Sequence, residues 1–158
     1  MAHADANDGL DVPALAEQLL DDAVAFTNPS RAKDDAIQEP IRQSLQANHG
    51  LAVVDAPNPA SVGWGRDVAA QLQEITGLDT VIVQRPASAS AVSDTYSRAA
   101  IESAQAATTP GQDQTAFLQD FYAGLSGTEG SGVALLTVLS LLAVCALAAS
   151  FRAAKQNS

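Results

Sequence analysis

Only one cysteine, Cys145, and two histidines, His3 and His49, occur in the sequence. That scarcity excludes a disulfide framework and any obvious zinc site built from thiolates and imidazoles. Nucleophilic catalysis finds no support either: His3 falls in the polar start of the chain, His49 falls in a predicted helix-ending turn, and neither is accompanied by a serine or cysteine in a recognisable elbow. Aromatic residues make up 4% of the chain against 47% hydrophobic residues overall, so the core is expected to be thin and built from helices with small side chains. Bases are few as well, with 8 Lys and Arg against 18 Asp and Glu. A surface of that sign repels phosphate backbones and anionic lipid headgroups, which disfavours nucleic acid as a partner. The opening MAHADANDGLDV has neither the basic start nor the apolar run of a cleavable signal, so none is predicted.

What the chain does have is one long apolar run. From Val133 to Phe151 it reads VALLTVLSLLAVCALAASF, nineteen residues without a charge, amide or proline. A helix of that length spans about 28 Å, the thickness of a hydrocarbon core, and predicts a single transmembrane segment that contains Cys145. Thr137 and Ser140 fit such a span because their hydroxyls can bond the helix's own carbonyls. All the acids and 6 of the 8 bases precede this run, which leaves −12 before it and +2 after it. Arg152 and Lys155 then place the tail 152–158 in the cytoplasm by the positive-inside bias, with the acidic domain outside the membrane. Insertion as a tail anchor would give the opposite orientation, so the charge bias is the one directional signal.

Upstream, residues 1–10 are read as disordered and 11–125 as a folded acidic domain, joined to the span by the Gly/Ser-rich linker 126–132, a flexible leash. Asp11 before Pro13 marks a helix start, with Val12, Ala16, Leu19 and Ala23 as its apolar stripe. The alternating AVAFT that follows is either a short edge strand holding Val24 and Phe26 on one side or the frayed end of that helix. Ile37, Ile41 and Leu45 describe a second helix ending near Asn48-His49-Gly50, with Pro40 either kinking it or opening a shorter one. LAVVD (51–55) and DTVIVQR (79–85) are strands, joined by a helix from about Ser61 to Thr76 that stops at Gly77 and turns Val62, Ala69, Leu72 and Ile75 inward. A crossover of that length makes the strands parallel, and their apolar character on both faces calls for helices on each side of the sheet. After Pro86, ASASAV reads as a small-residue loop leading to a helix that begins at Ser93 or Asp94, with Tyr96, Ala100, Ser103 and Ala107 in period. Phe117, Phe121 and Leu125 mark one more short amphipathic helix. The predicted class is therefore α/β, a small parallel sheet of two strands with a third possible at its edge, covered by helices and followed by one transmembrane helix.

Three features carry candidate chemistry. Gly63-Trp64-Gly65 lies between a strand and a helix, but the third glycine of a dinucleotide fingerprint is replaced by Val68 and no acid ends the second strand; the glycines read as loop residues around a partly buried tryptophan. Asp55 stands at the carboxyl end of the first strand, where open α/β sheets hold ligands, and could bind a divalent cation with help from Asp35, Asp67 and Asp94; it could equally start the turn DAPNP through its own backbone bonds. Asp94, Arg98 and Glu102 recur every four residues and predict an acid, base, acid face on one helix. That face is either a pair of ordinary i to i+4 bridges or a docking surface for a protein partner. In the span, Ala146 and Ser150 form one small-xxx-small pair.

The succession of VPALAEQLLDDAVAF, LAVVDAPNP and DTVIVQRP, followed by SDTYSRAAIESAQ and a terminal span, resembles a family of small actinobacterial single-pass membrane proteins of unassigned activity. The resemblance covers roughly residues 10–152, and its most specific piece is Ser93 to Ala104. It implies a cell-envelope setting beside NlpC/P60 peptidoglycan hydrolases and a role connected with cell separation. The soluble part is in turn similar to the TPM domain, an α/β sandwich linked to phosphatase activity, divalent metals and assembly of membrane complexes. Asp55 corresponds loosely to the strand-end position of that domain, while its later Gly-rich half has no counterpart here. The expectation from the sequence is a membrane-tethered interaction or regulatory module at the envelope rather than an enzyme, with a basic partner selected by the acidic surface and docked through Asp94, Arg98 and Glu102. The alternative is a TPM-like phosphatase or cation-binding domain centred on Asp55.

Overall fold

The computed structural model describes residues 9–55 and 63–127. Asp11 opens α1 (Val12–Asp22): its carboxylate accepts from the Ala14 amide at 3.0 Å, and Pro13 sits in the first turn, where no helical partner for an N–H is required. Val12, Leu15, Ala16 and Leu19 are the buried stripe. Ala23 leaves that stripe; it takes the left-handed conformation with φ 60° and ends the helix by donating its N–H to Leu19 O. The chain passes directly into β1 (Val24–Phe26), so AVAFT is a strand and not a frayed helix end.

A 3-10 turn over Arg31–Lys33 leads to α2 (Asp35–Ser44), whose cap is Asp34, accepting from the amides of Ala36 and Ile37. Pro40 lies inside α2, and the helix starts five residues before it. The helix also stops sooner than its apolar spacing suggests: Leu45 is already extended, and His49 begins β2 (His49–Val53). α3 (Trp64–Thr76) is bounded by two left-handed glycines, Gly63 with φ 101° and Gly77 with φ 70°. It is followed by β3 (Thr80–Gln84), β4 (Ala89–Ser93), α4 (Arg98–Ala107) and a helix α5 over 114–127. Asp113 caps α5 by accepting from the amides of Thr115 and Ala116, each at 3.1 Å.

The four strands lie in the order β1-β2-β3-β4, the first three parallel and the last antiparallel to β3. The sheet thus has both the edge strand allowed at residues 24–26 and a fourth strand where a loop is expected from the sequence. β4 pairs along its full length, Thr80 with Ser93 through Gln84 with Ala89. Its side chains are too small and polar to announce a strand, and neighbouring backbone and covering helices hold it instead.

Alternation along the strands splits the core into two layers. Val24, Phe26, Leu51, Val53 and Ile82 face α2, α4 and α5, meeting Ile41, Ile101, Phe117 and Phe121. Ala25, Ala52, Val54, Val81 and Val83 face α1 and α3, meeting Leu15, Leu19, Trp64 and Leu72. Ile75, expected in the inward stripe of α3, is 52% exposed, and Val68 takes that role at 0%. On α4 the inward residues are Ala100, Ile101 and Ala104, not Ser103 and Ala107. The β1-to-β2 and β2-to-β3 connections step across the sheet in the same direction, yet α2 and α3 cover opposite faces, so the two crossovers have opposite hands.

The compact unit ends at Leu125, and Ser126–Ser158 form a second unit. The first two residues of the expected linker, 126 and 127, are helical. Among the described residues no helix is long and apolar enough to cross a membrane. The predicted span 133–151, the tail after it and the start through residue 8 lie outside the described residues.

Candidate docking groove

Ser93 decides the geometry of the predicted acid, base, acid face. Its hydroxyl meets that of Thr80 at 2.8 Å and accepts from the amides of Thr95 and Tyr96, each at 3.1 Å, which pins a turn where the helix is expected to begin. α4 therefore starts four or five residues later, at Arg98, with Ser97 as its cap. Asp94 is left in the turn, its amide bonded to Asp79 O at 2.9 Å. Half of the ladder forms: Arg98 Nε donates to Glu102 Oε1 at 2.7 Å, with both side chains largely exposed. An exposed pair of this kind adds about 0.3–0.5 kcal/mol, too little to explain it as a structural necessity.

Arg98 and Glu102 instead line one wall of a groove of about 290 Å³ that runs along β4. The floor is Ser90 to Ser93, Ile101 and Gln105 continue the α4 wall, and Arg66 of α3 stands on the opposite side. Gly65 allows α3 to approach this strand: a Cβ there would lie 2.7 Å from Ser90 Oγ. Arg66 and Arg98 against Glu102 give the groove a local excess of one positive charge on an otherwise acidic domain. The expectation that the general acidic surface selects a basic partner does not describe this groove.

At the carboxyl ends of β1 to β3, where parallel sheets usually hold ligands, side-chain amides fill the space. Gln84, 6% exposed, donates to Gln112 O at 3.0 Å and accepts from Gln114 Nε2 at 3.2 Å. Gln114 in turn accepts from Arg31 at 2.6 Å, and that guanidinium lies over the Phe26 ring. Asp55 is exposed beyond β2, its amide donating to Thr27 Oγ1 at 2.9 Å. Asp35 and Asp67 sit in the first turns of α2 and α3. Among the described residues no three His, Cys, Asp or Glu side chains gather as a cation site, so the fold does not bring these acids and Asp94 together.

Trp64, expected to be partly buried in a loop, is 3% exposed and opens α3; the Arg85 guanidinium lies 5.4 Å from its ring centroid. Its Nε1 is buried without a hydrogen-bond partner among the described residues.

A second cluster lies at the opposite end of the sheet and has no counterpart in the sequence reading. His49 Nδ1 is 3.0 Å from the Tyr122 hydroxyl, which also accepts from the Gln46 amide at 3.1 Å; Tyr96 donates to Gln46 Oε1 at 3.0 Å and sets its ring edge-on to the imidazole. Burial lowers the His49 pKa, opposed by the nearby Asp79 carboxylate, and burial raises Tyr122 to about 12. The phenol thus stays protonated and can donate to a neutral imidazole. The cluster joins α5 and the segment before α4 to the first residue of β2, a structural clasp whose signal in the sequence is only that one histidine and both tyrosines fall in three separate segments.

Residues 6–158 match a family model described as Membrane protein Rv1476. No curated protein and no solved structure matches the chain.

Proposed function

Since the chain belongs to the Membrane protein Rv1476 family, we propose that it is a membrane-tethered interaction or regulatory module of the cell envelope, acting by docking a partner protein rather than by catalysis. The observation that carries this reading is the groove along β4, in which an ion pair of little structural worth is displayed beside a second guanidinium. The run Val133 to Phe151 supports the tether, and the bases of the following tail support placement of the acidic domain outside the membrane. In this reading α4 supplies Arg98 and Glu102 to the contact, while Asp94 belongs to the turn that orients the helix. The resemblance noted in the sequence makes peptidoglycan hydrolases the first partners to test.

Exchanging the two charges, Arg98→Glu with Glu102→Arg, keeps a pair on the same face and reverses what a partner meets. The full-length double variant, solubilised from membranes, is expected to keep its thermal midpoint and lose partners that co-purify with the parent chain. Undiminished co-purification would remove α4 as the docking face.

A further inference from the structure

The two edges of the sheet are treated differently. At β1, Leu51 N donates to Ala23 O and Thr27 N donates to Val53 O, so Phe26 turns its own N–H and C=O away from β2. One side chain takes both: Gln18 Oε1 accepts from Phe26 N at 3.0 Å, and Gln18 Nε2 donates to Phe26 O at 3.3 Å. An amide on α1 occupies the place of the next strand, a known way to blunt an edge.

At β4 the phase of the ladder follows from two bonds, Arg85 N to Ser88 O and Asp94 N to Asp79 O. With the observed register, Ser90 and Val92 bond β3, while Ala89, Ala91 and Ser93 point their backbone groups outward. Gln105 Nε2 takes the Ala89 carbonyl at 2.9 Å. The N–H and C=O of Ala91 and the N–H of Ser93 have no partner among the described residues; both residues line the groove, Ala91 with 6% of its surface exposed.

We propose that the groove receives an extended segment of a partner protein as a fifth strand on β4, with an acidic side chain of that segment held by Arg66. This rests on the docking reading above and names its occupant. Strand addition supplies main-chain bonds at Ala91 and Ser93, and the walls supply selection. Arg66 is exposed and has no ion-pair partner among the described residues, whereas Arg98 already holds Glu102. A carboxylate is repelled by most of a domain that carries −12 before the apolar run and meets two guanidiniums in this groove, so position and charge select together. A second copy of this chain fits less well. Antiparallel pairing of β4 with β4 about a two-fold axis keeps each face of the sheet on its own side, which would bring Arg66 of both copies to one seam.

The test uses the full-length chain in detergent micelles and a fluorescein-labelled peptide, Gly-Ser-Thr-Val-Glu-Val-Thr-Ser-Gly, followed by anisotropy. The acidic peptide is expected to bind at least about ten times more tightly than its Glu-to-Lys counterpart, a difference of about 1.4 kcal/mol. Arg66→Glu is expected to reverse that order. N-methylation of alternate peptide amides, which leaves the protein untouched, should abolish binding; Ala91→Pro, which removes an outward N–H but no bond to β3, should do the same if its thermal midpoint shows a folded chain. No binding, equal binding of the two peptides, or retained binding of the methylated one would overturn strand addition. So would a doubled mass in light scattering that Ala91→Pro abolishes, since the occupant would then be a second copy. If the exchange at Arg98 and Glu102 removes partners while the peptides fail, the docking face stands without strand addition; if partners persist, both fall.

Discussion

His49 is the residue whose environment departs most from what its neighbours in sequence suggest. Followed by glycine and preceded by asparagine, it reads as a solvated turn; in the fold it starts a central strand and is buried against two tyrosines. Burial lowers its pKa below the ordinary 6.5, so the unfolded chain takes up the proton first as pH falls. The stabilisation is complete above about pH 6.5 and is lost as pH falls from there through the folded value. The unfolding midpoint of the chain should therefore drop between pH 7 and pH 5, and His49→Gln should flatten that drop. An equally steep decline in the variant would show that other groups cause it. Glu39, held low by Arg42, and Asp113, held low by the Thr115 hydroxyl and the Ala116 amide, begin to contribute only near their lower ordinary values of 4.5 and 3.8, so the windows separate. At this scale the candidate site was partly legible. Arg98 and Glu102 were recognisable from spacing alone and do face each other, while Arg66 gave no signal, because its relation to them exists only once β4 lies between α3 and α4.

The elements were legible wherever side chains carry their own pattern. The cap Asp11 and the stop at Gly77 are written locally, and so are the parallel strands β2 and β3. β4 was not, since an alternation of alanine and serine is compatible with loop, helix or strand until a neighbour supplies the ladder. Because β4 runs to Ser93, α4 begins at Arg98 and Asp94 falls in the turn between them. Small residues matter again where α4 meets α5. A Cβ on Gly124 would lie 2.6 Å from Ala104 Cα and 2.9 Å from Ala107 Cβ, so the two helices come close to backbone-on-backbone contact there. Gly124→Ala has to push them apart and is expected to cost about 1–3 kcal/mol in urea unfolding. Gly50→Ala is the contrasting case: its closest neighbour is the tip of Leu78 at 2.7 Å, a side chain able to rotate away, so its loss should be clearly smaller. Equal losses would mean that the helix contact is softer than its geometry implies.

On the scale of the whole molecule, the order of strands followed from chain order, but the faces chosen by the two crossovers did not. Both connecting helices are amphipathic and either could have covered either side; in the fold α1 and α3 share one layer and α2, α4 and α5 the other. The proposed tether makes a direct prediction for fractionated cells. The full chain should remain with membranes after a high-salt or alkaline wash and be released by detergent, whereas a chain ending at Gly127 should appear in the aqueous fraction; membrane retention of the shortened chain would place the attachment in the folded domain. Reporter fusions at each end then decide the side.

The Gln18 clasp has a consequence for crowding. Copies held by the proposed tether would diffuse in two dimensions, where collisions between sheet edges are frequent and already half oriented. With the Phe26 backbone groups at the β1 edge taken by an amide of the same chain, pairing at that edge is hindered, and the proposed strand addition at β4 would end with the first partner instead of propagating into a fibre. Gln18→Leu reopens that edge, and solubilised protein carrying it should form concentration-dependent oligomers larger than dimers in light scattering, where the parent chain does not. By capping one end of its own sheet, the molecule turns a surface capable of polymerisation into one with a fixed valence.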